Sequence, residues 1–246
     1  MNVHRDLKAT GWSAATAPPA LPPGKVHVWR VSVKQPAERI QLLESYLSKD
    51  ELQRAGRFRF TEDRRVYVVT RGYLRELLGN YLALMPRNLR FTYAANGKPA
   101  LPAAAVKFNV AHAGEWALIA LTTKEEIGVD LEPVDTTFAK APLVGRFFSR
   151  HEVPGLTGLP EAEGHRAFFR AWTRKEALIK ARGDGLSLPL DQFGVSFLAG
   201  DPVRVLHTDW DPEQESRWQL HSFTVASDVF GAVAWVGHQK RLRFFG

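Results

Sequence analysis

The chain has 246 residues, 45% of them hydrophobic, with seven Trp, fifteen Phe, no Cys and a formal net charge of +7. So apolar a composition excludes global disorder, and the lack of cysteine excludes disulfides, thiolate metal sites and a cysteine nucleophile. The positive excess implies an anionic partner, whether nucleic acid, a phosphorylated small molecule or an acidic protein.

Further exclusions narrow the choice. The eight His residues are scattered without metal-site spacing, so zinc is not expected. Aromatic residues do not interleave with basic ones as in an RNA-binding sheet, and no nucleic acid partner is expected. No apolar run reaches the roughly 18 residues that span a bilayer, and Met1 to Gly24 lacks the apolar core of a signal peptide. These features predict a cytoplasmic protein with no membrane partner.

In chain order, residues 1–24 read as an extended Ala/Pro-rich leader outside the core, and the fold is expected to begin at Val26. Val26 to Val33 alternates as a strand, and Ser48-Lys-Asp-Glu51 is a capping box that opens a short Arg-rich helix. Thr61 is placed to cap a longer helix, with Glu62 and Asp63 in its first turn and Val66, Val69, Tyr73, Leu77 and Tyr81 on its buried face. Asn96-Gly-Lys-Pro99 is a turn, followed by strands Phe108 to Ala111 and Trp116 to Thr122 joined around His112-Ala-Gly-Glu115. Beyond Pro133 come helices over Ala139 to Phe148 and Ala162 to Ala181, then strands Phe193 to Leu198, Trp218 to Val225 and Gly231 to Gly237. Helices mixed with antiparallel sheets predict an α+β fold of two similar-sized halves, 25–133 and 134–246, with the active site in the cleft between them.

Within this pattern Ile127-Gly-Val-Asp-Leu-Glu-Pro133 stands out. Strand alternation puts Ile127, Val129 and Leu131 on one face and Asp130 with Glu132 on the other. Two neighbouring carboxylates raise each other's pKa unless solvent or a cation relieves them. A solvated edge strand accounts for them, and so does a hard divalent cation such as Mg2+. Phe168 to Lys180 is helical by periodicity, with Lys175 in the apolar row Phe168, Trp172, Ile179, and with Glu176 one turn before Lys180. An exposed Glu–Lys pair of that kind contributes only a few tenths of a kcal/mol and is common.

Together the two stretches are more specific. GVDLE followed by WTRKEALIK and GDGLSLPL resembles the Sfp-type 4'-phosphopantetheinyl transferases, whose signatures are a G-[IV]-D-x-E strand and a W-x-x-K-E-[AS]-x-x-K helix. RFRFTEDRR, NGKP, FNVAHAGEW and RFFSRHE extend the resemblance from about Leu43 to Val236.

The resemblance implies transfer of 4'-phosphopantetheine from coenzyme A to a serine of an acyl or peptidyl carrier protein, releasing 3',5'-ADP. The carrier would belong to fatty acid, polyketide or nonribosomal peptide synthesis. It further implies Mg2+ held by Asp130, Glu132 and Glu176, with Glu176 also the base for the serine and Lys180 neutralising the pyrophosphate. By the same resemblance, His112 and Arg54 would meet the 3'-phosphate and Lys98 would lie beside the adenine or the phosphates. Lys175 would contact the phosphates or the arm, unless it snorkels over Trp172. Glu152 would lie near the pyrophosphate or close a capping box with Ser149. Two departures stand out: Ala111 replaces a serine, and Glu51 replaces a basic contact and is read as capping its helix. The chain length resembles the monomeric family type. Arg57, Arg59, Arg64 and Arg65 are candidates for docking an acidic carrier. The alternative is a catalytically inactive module that binds coenzyme A or the carrier; it predicts loss of the acids, and all three are present.

Overall fold

The computed structural model describes the chain except residues 1–10, 16, 103–104, 138–139, 184, 186–187 and 211 and the side chains of 140, 141 and 212–214. Ala139 of an expected helix, and three residues of GDGLSLPL, therefore lie outside the described residues.

The elements run β1 (Trp12–Ser13), β2 (Lys25–Ser32), α1 (Ala37–Ser45), α2 (Lys49–Ala55), α3 (Thr61–Leu82), β3 (Thr92–Tyr93), β4 (Pro99–Ala100), β5 (Lys107–Ala113), β6 (Trp116–Thr122) and β7 (Ile127–Pro133). They continue with α4 (Lys140–Phe147), α5 (Val153–Thr157), α6 (Glu161–Arg182), β8 (Phe193–Val195), β9 (Val205–Thr208), β10 (Trp218–Ala226), β11 (Val229–Val236) and β12 (Arg241–Phe245). This is the α+β class expected from the sequence.

Four layers position the site. A five-stranded sheet, β1-β12-β2-β6-β5, packs one face on α3 through Trp29, Ile119 and Leu121 against Leu74, Leu77 and Leu78. Its other face meets a three-stranded sheet, β10-β11-β7, where Val26, Val28, Leu118 and Ala120 touch Ile127, Val129, Val233 and Trp235. The far face of that second sheet carries α6, with Ala177, Leu178 and Ala181 against Leu220, Ala232 and Ala234. Each sheet is thus backed by one 22-residue helix. Strands β2 and β7 are buried on both faces, which explains why their sequences are nearly continuous in apolar residues.

The structure corrects several expectations. Trp12 is not in a detached leader: β1 pairs in parallel with β12, and the Trp12 ring packs on Phe223 and Phe244 with centroids 5.9 and 5.2 Å away. Ala15 and Leu21 also pack against the α3 core. Strand β12, absent from the sequence reading, pairs in parallel with β2, so the chain's last strand joins the first sheet and not every pairing is antiparallel. Conversely β7, assigned to the first half, is hydrogen-bonded to β11 along its length. Sheet membership therefore does not follow a cut after Pro133. Thr61 is the first residue inside α3 and Phe60 takes the cap position, with no side-chain cap bond. The Ser48–Glu51 box forms as expected, the Ser48 N–H donating to Glu51 Oε2 at 3.0 Å.

Candidate active site

The alternation of β7 sends Gly128, Asp130 and Glu132 towards α6, while Trp172, Glu176 and Lys180 come down one line of that helix at intervals of four. The two elements touch backbone to backbone at Gly128. A Cβ there would stand 2.0 Å from the Ala177 carbonyl oxygen and 2.3 Å from the Ala181 nitrogen, so only glycine lets the carboxylates approach the helix this closely.

At this seam Asp130 is 4% exposed. Its Oδ1 accepts a hydrogen bond from Lys180 Nζ at 2.5 Å, and its Oδ2 is buried without a partner. Burial pushes the Asp130 carboxyl above its ordinary range, against the pull of Lys180. Glu132 is pushed up to about 7, first by burial and then by the Asp130 charge, with Glu176 adding to the shift; Lys180 and a hydrogen bond with Trp172 oppose it. Glu176 is raised by burial and by Asp130. One ammonium thus faces three mutually repelling carboxylates, a charge set that a cation would relieve.

His112 comes from β5, whose Asn109 side chain accepts the Val129 N–H at 2.9 Å and ties the two sheets together at the site. Its imidazole is open to solvent, and partial desolvation followed by the Lys180 ammonium holds its pKa below the ordinary value. Lys98 also reaches the seam, with its charge directed at the protein. Nζ donates to the Lys180 carbonyl at 2.8 Å, to the Ile127 carbonyl at 3.2 Å and to Glu126 Oε2 at 3.2 Å. Asn96 Nδ2 donates to the Gly183 carbonyl at 2.8 Å, so the Asn-Gly-Lys turn caps the C-terminal end of α6. Gly97 takes the left-handed φ of +80° that this turn requires.

Two expected site residues lie elsewhere. Lys175 and Glu152 are both fully buried and pair with each other at 2.7 Å. Lys175 Nζ also donates to the carbonyls of Leu190 and Phe193 at 2.7 and 2.6 Å, which uses all three of its protons. Glu152 accepts from Val195 N–H, Ser149 N–H and Ser149 Oγ, each at 2.9 Å. The physical reason is helical: residue 175 is rotated about 100° from residue 176, so a helix that aims Glu176 at β7 aims Lys175 into the core. Lys175 does not snorkel over Trp172 as read from sequence, and of the capping box only the Ser149 N–H to Glu152 bond forms, because the helix begins at Val153 with Glu152 itself at the cap position. Arg54 sits apart from the carboxylates, its guanidinium 5.4 Å over the Tyr67 ring at the rim of a cavity of about 790 Å³.

Sequence reasoning missed Trp172 as a partner of Glu132, although its spacing of four from Glu176 was the available signal. It also missed the steric need for Gly128, which no spacing rule could reveal.

The donors at the seam are all hard oxygens, which suits a small divalent cation, and the partnerless buried Oδ2 of Asp130 is the atom such an ion would satisfy. Among the described residues no three Asp, Glu or His groups are drawn together as a ready-made cage. The Lys180 ammonium instead holds one of the carboxylate oxygens.

Comparison with known proteins gives the family to which a chain with this acid cluster and lysine belongs. Residues 126–234 match the family model described as the 4'-phosphopantetheinyl transferase superfamily, and residues 29–124 match that of the 4'-phosphopantetheinyl transferase N-terminal region. The 4'-phosphopantetheinyl transferase HetI of Nostoc sp. strain PCC 7120 is 35% identical over 225 residues, covering 90% of this chain and 92% of the relative. Sfp of Bacillus subtilis strain 168 is 32% identical over 155 residues, covering 61% and 66%. The human L-aminoadipate-semialdehyde dehydrogenase-phosphopantetheinyl transferase is 27% identical over 209 residues, covering 76% and 66%. The chain belongs to the 4'-phosphopantetheinyl transferase family.

Proposed function

We propose that this enzyme transfers the 4'-phosphopantetheine group of coenzyme A to the serine hydroxyl of an apo carrier protein. The serine oxygen forms a bond to the phosphorus of the phosphopantetheine arm, the bridging pyrophosphate P–O bond breaks, and 3',5'-ADP leaves with the bonding electron pair. Glu176 takes the serine proton; burial and the Asp130 charge push its carboxyl above the ordinary range, against the pull of Lys180, and make it the better proton acceptor. Lys180, released from Asp130, neutralises the charge that grows on the departing phosphate. Asp130, Glu132 and Glu176 would hold Mg2+, which when bound neutralises the pyrophosphate and supplies electrostatic stabilisation of the transferring group. His112, open to solvent, would donate to a phosphate.

The observation that carries this reading is the meeting of Asp130, Glu132, Glu176 and Lys180 across β7 and α6. The carrier is an acidic protein steered by the positive excess of +7, and the enzyme works as a cytoplasmic monomer, without nucleic acid. No helix among the described residues is long and apolar enough to cross a membrane.

Intact-mass spectrometry of an apo carrier incubated with the enzyme, coenzyme A and Mg2+ tests the reading. The expected result is a gain of one phosphopantetheine, lost with EDTA and with Glu176→Ala. No gain on fatty acid, polyketide or peptidyl carriers would overturn it. A gain unaffected by EDTA would remove the metal from it.

A further inference from the structure

The strand that carries two of the acids is held by a β-ladder on one side only. In the three-stranded sheet β7 is an edge, paired with β11 from Ile127 to Pro133. In the five-stranded sheet β5 is likewise an edge, paired with β6. Ala111 of β5 packs in one core with Ile127, Val129 and Leu131 of β7, yet the two edges share no ladder among the described residues. Backbone groups of an edge strand that face away from its neighbour need other partners, and a buried N–H left without one costs its full desolvation. Val129 is fully buried, and its N–H finds Oδ1 of Asn109 at 2.9 Å.

Asn109 is a polar residue in an apolar stretch, only 6% exposed. Its neighbours Phe108 and Val110 turn to the α3 core, so strand alternation turns Asn109 the other way, towards the second sheet. The bond it makes falls on Val129, between the two positions that build the seam: Gly128, which touches the α6 backbone, and Asp130, whose carboxyl Lys180 holds. Strand β7 is therefore pinned by the β11 ladder, by α6 at Gly128 and by Asn109 at Val129. The last of these is a hydrogen bond from the strand of the acids to the strand of His112.

We infer that Asn109 is a positioning residue for the carboxylates: its side-chain oxygen takes the place of a ladder bond, fixes β7 against β5, and so sets where Asp130 and Glu132 stand relative to Glu176 and His112. The inference rests on the transfer reading above. Asn109 touches no reacting atom in that reading and acts through the Val129 backbone. An amide suits the role because its oxygen accepts a hydrogen bond without adding charge to a site that already holds three acids. A displacement of about 1 Å at a reacting group lowers turnover on the order of 100-fold, so one lost tie can show in the rate of a protein that still folds.

The test joins native-state amide hydrogen exchange to steady-state transfer, on the full chain, for the wild type, Asn109→Leu and Asn109→Asp. Leucine keeps the volume and removes the acceptor, whereas aspartate keeps an accepting oxygen at the same place. The Val129 amide should be protected in the wild type and exchange about tenfold faster or more in Asn109→Leu, while the Asp130 amide, which faces β11, exchanges as before. Asn109→Leu should lower kcat roughly 10- to 100-fold with KM for coenzyme A and for carrier protein within about twofold of the wild type. It should also shrink the rise in melting temperature given by Mg2+. Asn109→Asp should restore the Val129 protection and most of kcat. An unprotected Val129 amide in the wild type, an unchanged kcat in Asn109→Leu, or a loss that Asn109→Asp does not recover would overturn the inference. If Asn109→Leu does not fold, Asn109→Ser, too short to reach Val129, takes its place with the same expectations. An enzyme that transfers to no carrier would sink the transfer reading, and the Mg2+ melting shift would then decide on Asn109: a shift in Asn109→Leu no smaller than that of the wild type would overturn its role.

Discussion

Five residues apart on α6, two lysines face carboxylates in opposite ways. Lys175 and Glu152 saturate each other: every proton of the ammonium and both oxygens of the acid have partners inside the core. Lys180 and Asp130 do not, because Asp130 keeps a bare Oδ2 and Glu132 and Glu176 stand beside it without cations of their own. The difference teaches where a buried ion pair keeps capacity for a ligand: incomplete hydrogen bonding leaves an oxygen to offer, and a complete network leaves none.

Breaking each pair should therefore fail in a different observable. Asp130→Ala and Glu176→Ala should each lower kcat by roughly a thousandfold or more, because they remove charge that acts on the transferring group. Urea unfolding should find both variants as stable as the wild type or more so, since each relieves like-charge repulsion. A variant that keeps near wild-type turnover would remove that residue from the mechanism.

Lys175→Met should instead destabilise the fold by about 3–5 kcal/mol, the cost of leaving Glu152 charged and unpaired in the core. The double variant with Glu152→Gln should recover part of that loss, and denaturant midpoints at constant m-value would measure both. If Lys175→Met were as stable as the wild type and defective only in coenzyme A binding, the contrast drawn between the two lysines would collapse.

These contrasts were unevenly legible in the sequence. Period-two alternation gave the faces of β7 correctly because a strand leaves its side chains no third direction. Lys175 reads from sequence as a phosphate contact or a snorkelling side chain although it lies in an apolar row, because its partner Glu152 reaches it from the connection between α4 and α5 and no local spacing records that. Strand β12 and Trp12 were missed because their pairing is parallel and joins opposite ends of the chain, so nothing local records it. The aromatic enclosure of Arg71 draws on Tyr93 in a separate ribbon, so no local spacing records it.

The seam itself can be strained by a smaller change. Gly128→Ala places a methyl group against the backbone of α6, and β7 must retreat from the helix. The expected cost is about 1–3 kcal/mol of stability, with a fall in kcat larger than the change in KM for carrier protein. Thermal melting and initial rates would separate the two, and an alanine variant with unchanged kcat would show that the close contact does not set the carboxylate geometry.

The smallest effect concerns pH. Glu132 is raised from 4.5 to about 7 in the folded protein, so between those values the unfolded chain releases its proton first and folding stability falls as pH rises. The penalty is absent below about pH 4.5 and complete above pH 7. Glu132→Gln should remove it and stabilise the protein at pH 8 by roughly 1–2 kcal/mol, after allowance for solvent screening of a partly exposed group. At pH 5 the same variant should melt within a degree or two of the wild type. Millimolar Mg2+ should stabilise the wild type more at pH 8 than at pH 5, because a cation competes with the proton for the same oxygens. A wild-type melting temperature insensitive to Mg2+ at both pH values would leave the acid cluster unrelieved by that ion and would count against its place at the seam.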